Sequence, residues 1–173
     1  MRFIAVLAAA VLISCGGPPD VYAPSVPRKP IDVFGTDALR SWVQMNSEAA
    51  TVSIVRDVAA DLQAGAWRWA SPHAELRFFL PSASGWKAKA DYSIARVVLD
   101  QAGPVTLAFF VNNTPLDSIR YEHDGTFTWE KPVPASVLVA QGMNYLRIEA
   151  DKSISDAGGH PISFILTAAG FVR

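Results

Sequence analysis

The sequence predicts an all-β chain folded as an antiparallel sandwich, and three observations carry that prediction. Short segments repeat apolar residues at every second position, which gives each a buried and an outer face. Asparagine, aspartate, glycine and proline punctuate these segments where hairpins and loops would fall. No long amphipathic helix separates them, as a parallel α/β fold would require.

The individual elements follow in order. Leu39, Trp42 and Val43 share the i, i+3, i+4 spacing of a short helix that Thr36 could cap. Thr51–Val58 is rich in β-branched residues and reads as a strand, with Val52, Ile54 and Arg56 on one side. Ala74–Leu80 sets Leu76, Phe78 and Leu80 inward against Glu75, Arg77 and Phe79. An extended run occupies Lys87–Leu99, and Pro104–Asn112 places Val105, Leu107, Phe109 and Val111 on one face.

Asn112-Asn113 is hairpin chemistry, because asparagine tolerates positive φ, and Leu116–Tyr121 follows as the returning strand. Asp124-Gly125 reads as a second hairpin signal before a strand at Thr126–Lys131. Ala135–Gln141 suggests a helical turn stopped by Gly142. Asn144–Ala150 alternates again, and Pro161–Val172 closes the domain as the last strand. Seven to nine strands account for the pattern.

Composition bounds the rest. The chain has 173 residues, half of them hydrophobic and 18% charged, which suits one domain with one core. Its formal charge of −1 offers no basic surface for nucleic acid. The single cysteine, Cys15, has no partner for an intrachain disulfide and no companion thiols for a zinc site.

The first residues have their own logic. Arg2 precedes an uncharged apolar run from Phe3 to Ile13, too short to span a bilayer and of the length of a signal-peptide core. The run ends in Leu12-Ile13-Ser14-Cys15-Gly16, which resembles the bacterial lipobox. That resemblance implies cleavage after Ser14 and lipid attachment at Cys15, with residues 1–14 discarded and the formal charge moved to about −2 by loss of Arg2.

Residues 15–34, with prolines 18, 19, 24, 27 and 30, suit a semi-extended tether. Residues 35–173 are then the folded domain. Gly16 is not the aspartate associated with inner-membrane retention, so the resemblance implies a lipid-anchored protein of the outer membrane. Two or three acyl chains anchor firmly, since each buried methylene contributes about 0.8 kcal/mol.

Within the domain, Ile54-Val55-Arg56-Asp57 comes first, then Gly65-Ala66-Trp67-Arg68-Trp69 and Glu75-Leu76-Arg77. Phe109 to Asn113, Asn144 to Ile148 and Gly170-Phe171 follow. Over residues 51–173 this order resembles the galactose-binding-like jelly rolls that accompany carbohydrate-active enzymes. The resemblance implies glycan binding through aromatic rings and polar side chains on loops at one end of the sandwich. Family members often hold a structural calcium, but no cluster of acidic calcium ligands is recognisable here.

The candidate ligand-binding residues are Trp67, Trp69 and Trp86. If their segment is extended, Trp67 and Trp69 point to the same side, either filling the core, the commoner role of large aromatics, or offering faces to a sugar. Trp86 follows Ser84-Gly85 and is expected to be exposed in a turn, whereas Trp42 and Trp129 are expected to be buried. Arg56, Asp57, Glu75 and Arg77 read first as structural salt bridges or turn contacts. Asp91, Glu122 and Asp124 read as solvated surface.

His73, His123 and His160 lack metal-site spacing, and no catalytic or nucleotide-binding motif occurs. No cofactor or enzymatic activity is therefore expected. Two functions remain open. One is a membrane-tethered, non-catalytic glycan-binding module. The other is a structural or adaptor envelope protein that meets a protein partner through a sheet face, which exposed Phe79 and Phe110 would favour.

Overall fold

The computed structural model describes residues 40–173. The leader, Cys15, the tether, Thr36 and Leu39 lie outside the described residues. Eleven strands and two short helices follow in the order β1 (Trp42–Gln44), α1 (Glu48–Ser53), β2 (Ile54–Val58), β3 (Arg68–Leu80), β4 (Lys87–Ile94), α2 (Arg96–Ala102) and β5 (Val105–Val111). Then come β6 (Thr114–Tyr121), β7 (Gly125–Pro132), β8 (Gly142–Ala150), β9 (Ile154–Ser155), β10 (Pro161–Ile162) and β11 (Phe164–Val172).

These strands make an antiparallel β-sandwich of the jelly-roll kind. One layer runs β2-β3-β8-β5-β6, and the other groups β1 and β4 about β11 with β7 outermost. β3 belongs to both, because residues 73–80 pair with β8 while Arg68–Ala70 pair with β11. A separate ribbon is formed by β9 and β10.

The predicted alternation sets the core. Leu76, Phe78 and Leu80 of β3 are fully buried, as are Val105, Leu107, Phe109 and Val111 of β5 and Leu146 and Ile148 of β8. From the facing layer come Tyr92, Phe164, Leu166 and Phe171. Phe78 meets Phe171 edge to face at 5.6 Å, and Phe109 stacks on Trp129 at 4.1 Å. Each such side chain removed from water contributes roughly 1.5–3 kcal/mol, so this aromatic seam holds the layers together.

Side chains also close the side of the sandwich where β6 and β7 are the edge strands. The Trp129 indole N–H donates to Asp117 Oδ2 at 3.0 Å, and Lys131 Nζ lies 3.2 Å from the same oxygen. Burial pushes the Asp117 carboxyl up, but the bonds from Trp129, Lys131 and the Ser118 amide outweigh it and hold the group below its ordinary range. Beneath them the hydroxyls of Tyr92 and Tyr121 share a buried hydrogen bond. Desolvation first, then that bond, pushes the Tyr92 phenol far above its usual value.

The Asn112-Asn113 hairpin forms as expected: both residues have positive φ, 47° and 67°, and join β5 to β6. Several expectations need correction. Trp42 and Val43 lie on β1 beside β11, with Val43 buried and Trp42 over the outer face. The stretch from Thr51 begins in α1, because Ala50 and Ser53, three apart, are the residues that face the core. Lys87–Leu99 breaks after Ile94 into α2.

Asp124-Gly125 is an arch between layers: β6 pairs with β5, β7 pairs with β4, and Tyr121 packs on Phe127 at 4.6 Å across the interior. The turn before Gly142 is one 3-10 turn, Ala135–Val137, and Gly142 opens β8.

β1 depends on one glycine. Gly170 has φ +144°, and a Cβ there would stand 2.2 Å from the Ser41 carbonyl oxygen and 2.8 Å from Trp42 Cα. Both of those are backbone atoms and cannot swing away. Gly170→Ala is therefore expected to displace β1 and cost about 2–4 kcal/mol, combining strain with overpacking. An unchanged urea midpoint for that variant would contradict the packing described.

Candidate functional site

The segment from Gln63 to Trp69 is built by a tight turn. Ala64 and Gly65 both have positive φ, 49° and 68°, and the Ala66 amide bonds the Gln63 carbonyl at 3.0 Å. This primed turn folds Gln63 against Trp67, whose backbone carbonyl accepts from the Gln63 amide at 2.8 Å. From Trp67 onward the chain is extended, so Trp67 and Trp69 share one side and Arg68 takes the other.

The side chosen inverts the usual preference. Arg68 is buried, and both tryptophans are half-exposed. Its Nε donates to the Met45 carbonyl at 3.0 Å, and one terminal nitrogen donates to the carbonyls of Ala59, at 3.1 Å, and Ala60. A buried guanidinium is stable only if its donors are satisfied, and carbonyls left by the irregular loop supply the acceptors. The same bonds fix that loop over the start of β3.

With Arg68 inward, the tryptophan rings meet outside at 5.4 Å and 88°, a T-shaped pair. Trp69 packs partly on the core, and its other surface lines a cleft of about 440 Å³. One wall is the loop from Asp57 to Gln63. The other is the β9–β10 hairpin, with Asp156, His160, Pro161 and Ile162, and Ser71 lies beside Trp69. The Ser71 hydroxyl ties the floor to the second wall by donating to the Pro161 carbonyl at 2.6 Å.

Both walls carry polar side chains among apolar ones, and the second is held by its own hydrogen bonds. Asp156 Oδ1 accepts from the amides of Gly158 and His160, both at 2.8 Å, and lies 3.4 Å from His160 Nδ1. Those contacts, led by the His160 amide, hold the Asp156 carboxyl below its ordinary range. Asp57 sits at φ +58° where β2 loses register with β3, a conformation aspartate tolerates better than most residues. Among the described residues, neither Asp57 nor Asp61 has an ion pair or side-chain hydrogen bond.

The third predicted tryptophan is elsewhere and is not exposed. Trp86 is buried at 8% exposure, its indole N–H donates to the Ser82 carbonyl at 3.0 Å, and the Arg173 guanidinium covers its ring at 4.5 Å. Its backbone carbonyl also takes the Val133 amide, so Trp86 anchors the end of β4. Trp129 is buried as expected, and Trp42 is half-buried with Lys89 over its ring at 5.2 Å.

The remaining candidates are structural. Arg56 and Glu75 form a salt bridge of 3.1 Å across β2 and β3, and Arg77 Nε donates to the Val52 carbonyl. Phe79 and Phe110 are both half-buried on one sheet face. Phe79 lies opposite Met143, while Phe110 carries the Arg147 guanidinium at 4.5 Å, so no continuous apolar patch joins them. Among the described residues no three histidine, cysteine or acidic side chains gather as a metal site. A second hollow, of about 490 Å³, lies beside His73, Glu149 and Lys152 and has no tryptophan, tyrosine or phenylalanine in its wall.

Sequence reading singled out Trp69 and Asp57 of the cleft's lining but missed Asp61, Gln63, Asp156 and His160 as their neighbours, and it missed the role of Arg68 in turning Trp67 and Trp69 outward. Arg68 left a signal, an arginine between two tryptophans on alternating positions. The hairpin residues left none, since about ninety positions separate His160 from Ser71 and only the fold joins them.

No protein-family model matches the chain, and no curated protein matches it by sequence. Among solved structures, a family 35 carbohydrate binding module from an environmental isolate is 14% identical, covering 76% of this chain and 96% of that one at a TM-score of 0.41. Xyl-CBM35, solved with a glucuronic acid containing disaccharide, is 12% identical over 76% and 92% at 0.42. An acetyl xylan esterase from the rumen bacterium Butyrivibrio proteoclasticus is 5% identical at 0.44, and the match spans about a third of it, 34%. Likenesses of this size bear on no individual residue of the cleft.

Arg68→Met tests the inverted register. It strands the carbonyls of Met45, Ala59 and Ala60 and is expected to cost about 2–3 kcal/mol. The near-ultraviolet circular dichroism of the tryptophan pair should weaken with it. A variant with wild-type stability and an intact aromatic signal would show that the loop holds itself.

Proposed function

We propose that the domain binds glycan at the cleft floored by Trp69, without catalysing a reaction on it, and that a lipid on Cys15 anchors it to an envelope membrane. The observation that carries the first part is the outward tryptophan pair beside a cleft whose walls bear carboxylate, amide and hydroxyl side chains among apolar ones. Exposing large aromatic surface is costly, and a sugar offers a matching chemistry of C–H faces for the ring and hydroxyls for the walls. Gln63, Ser71, Asp57, Asp61 and His160 supply donors and acceptors at the cleft's edge.

The anchor rests on the apolar run ending at Cys15 and the proline-rich stretch after it. No helix among the described residues is long and apolar enough to cross a membrane. The outer membrane is the proposed address, on the identity of Gly16. A protein partner on the face of Phe79 and Phe110 is the weaker reading, because charged side chains interrupt that face.

Titration with glycans followed by intrinsic tryptophan fluorescence tests the binding. Trp67→Ala and Trp69→Ala should each weaken it about tenfold or more, as loss of a stacked aromatic does. Trp86→Phe should leave affinity within about twofold, because its ring lies away from the cleft. A broad glycan panel giving no response, or equal affinity in the Trp69 variant, would remove the proposal. Mass spectrometry of the mature N-terminus should find acylated Cys15, and an unmodified full-length chain would remove the anchor.

A further inference from the structure

We infer that the cleft selects a glycan bearing ammonium groups, of the kind a deacetylated amino sugar presents, over neutral and acidic glycans. This inference rests on the glycan-binding reading and names the ligand class for the same site. Three observations lead to it.

The first is charge. The lining carries Asp57, Asp61 and Asp156 and contains no lysine or arginine. Of the arginines near the first wall, Arg68 is buried and directs its donors at the carbonyls of Met45, Ala59 and Ala60, and Arg56, next to Asp57, is paired with Glu75 at 3.1 Å. His160 lies 3.4 Å from Asp156 and makes no ion pair with Asp57 or Asp61.

The second is availability. Asp57 and Asp61 are exposed on one wall with no ion pair or side-chain hydrogen bond among the described residues. Elsewhere on the domain carboxylates are mostly committed: Glu75 to Arg56, Asp117 to Trp129 and Lys131, Glu130 to Lys87, Asp100 to Arg96. Two uncommitted carboxylates therefore line the same cleft as the half-exposed ring of Trp69.

The third is that ring. The face of Trp69 is electron-rich and attracts a cation as well as a sugar face. A carboxylate wall beside an indole floor complements an ammonium group on a pyranose ring in both respects. A uronate brought to the same place would meet the uncommitted carboxylates of Asp57 and Asp61 and no lysine or arginine.

The experiment is calorimetric titration of the full chain at about pH 5.5, where carboxylates are ionised and sugar amines are charged. The probes are hexamers of glucosamine, N-acetylglucosamine, glucose and galacturonic acid, with hexalysine as a cation without a sugar. The glucosamine hexamer is expected to bind about tenfold tighter than its acetylated counterpart, and that margin should shrink as salt is raised. Asp57→Asn with Asp61→Asn should reduce the preference for the glucosamine hexamer over its acetylated counterpart to within about twofold. Asparagine tolerates the backbone of Asp57, which keeps the wall intact.

Equal binding of acetylated and free amines, tighter binding of the uronate, or a preference that survives the double variant would overturn the inference. Hexalysine binding as tightly as the glucosamine hexamer would overturn it too, by showing recognition of charge without sugar. If neutral glycans bind and depend on Trp69 while the amine confers nothing, the glycan reading stands alone. If no glycan binds, both fall.

Discussion

The buried guanidinium of Arg68 sets the orientation on which the site depends. An extended segment has two faces, and one of them must turn inward; here the inward choice is an arginine between two tryptophans. That is tolerable because the loop after β2 is irregular and leaves carbonyls without strand partners, which the guanidinium satisfies. One set of hydrogen bonds thus settles three matters together: the loop's position, the register of β3 and the outward placement of Trp67 and Trp69.

The sandwich makes that arrangement possible. β3 is long enough to serve both layers, and its first residues lie at the point where pairing passes from β8 to β11. There the β9–β10 hairpin comes alongside, bringing Asp156 and His160 opposite the loop that carries Asp57 and Asp61. The aromatic seam and the Asp117 contacts keep the layers closed elsewhere, so the cleft forms at one end of a packed body. It is the fold's irregular connections, set on a regular core, that carry the candidate chemistry.

Much of the fold was legible because period-two burial is a local property. Leu76, Phe78 and Leu80, or Leu146 and Ile148, declare a strand wherever they occur. The Asn112-Asn113 turn was legible for the same reason, since its backbone needs are met within two residues. Asp124-Gly125 has similar local chemistry and a different outcome, because Tyr121 and Phe127 gain more by packing across the interior than by pairing as a hairpin. Trp42 was misplaced because nothing near it in sequence discloses Gly170, the residue whose missing side chain admits β1.

The site was legible only in part. The tryptophan pair followed from spacing, but which side it faced depended on Arg68 finding acceptors that lie eight to twenty-three residues away. Trp86 looked exposed from its glycine and is covered by Arg173, at the far end of the chain. Acrylamide quenching of single-tryptophan variants tests the central claim most directly. Emission from Trp67 and Trp69 is expected to be readily quenched, and emission from Trp86 and Trp129 to be protected; protected Trp67 and Trp69 would contradict the outward pair and the cleft built upon it.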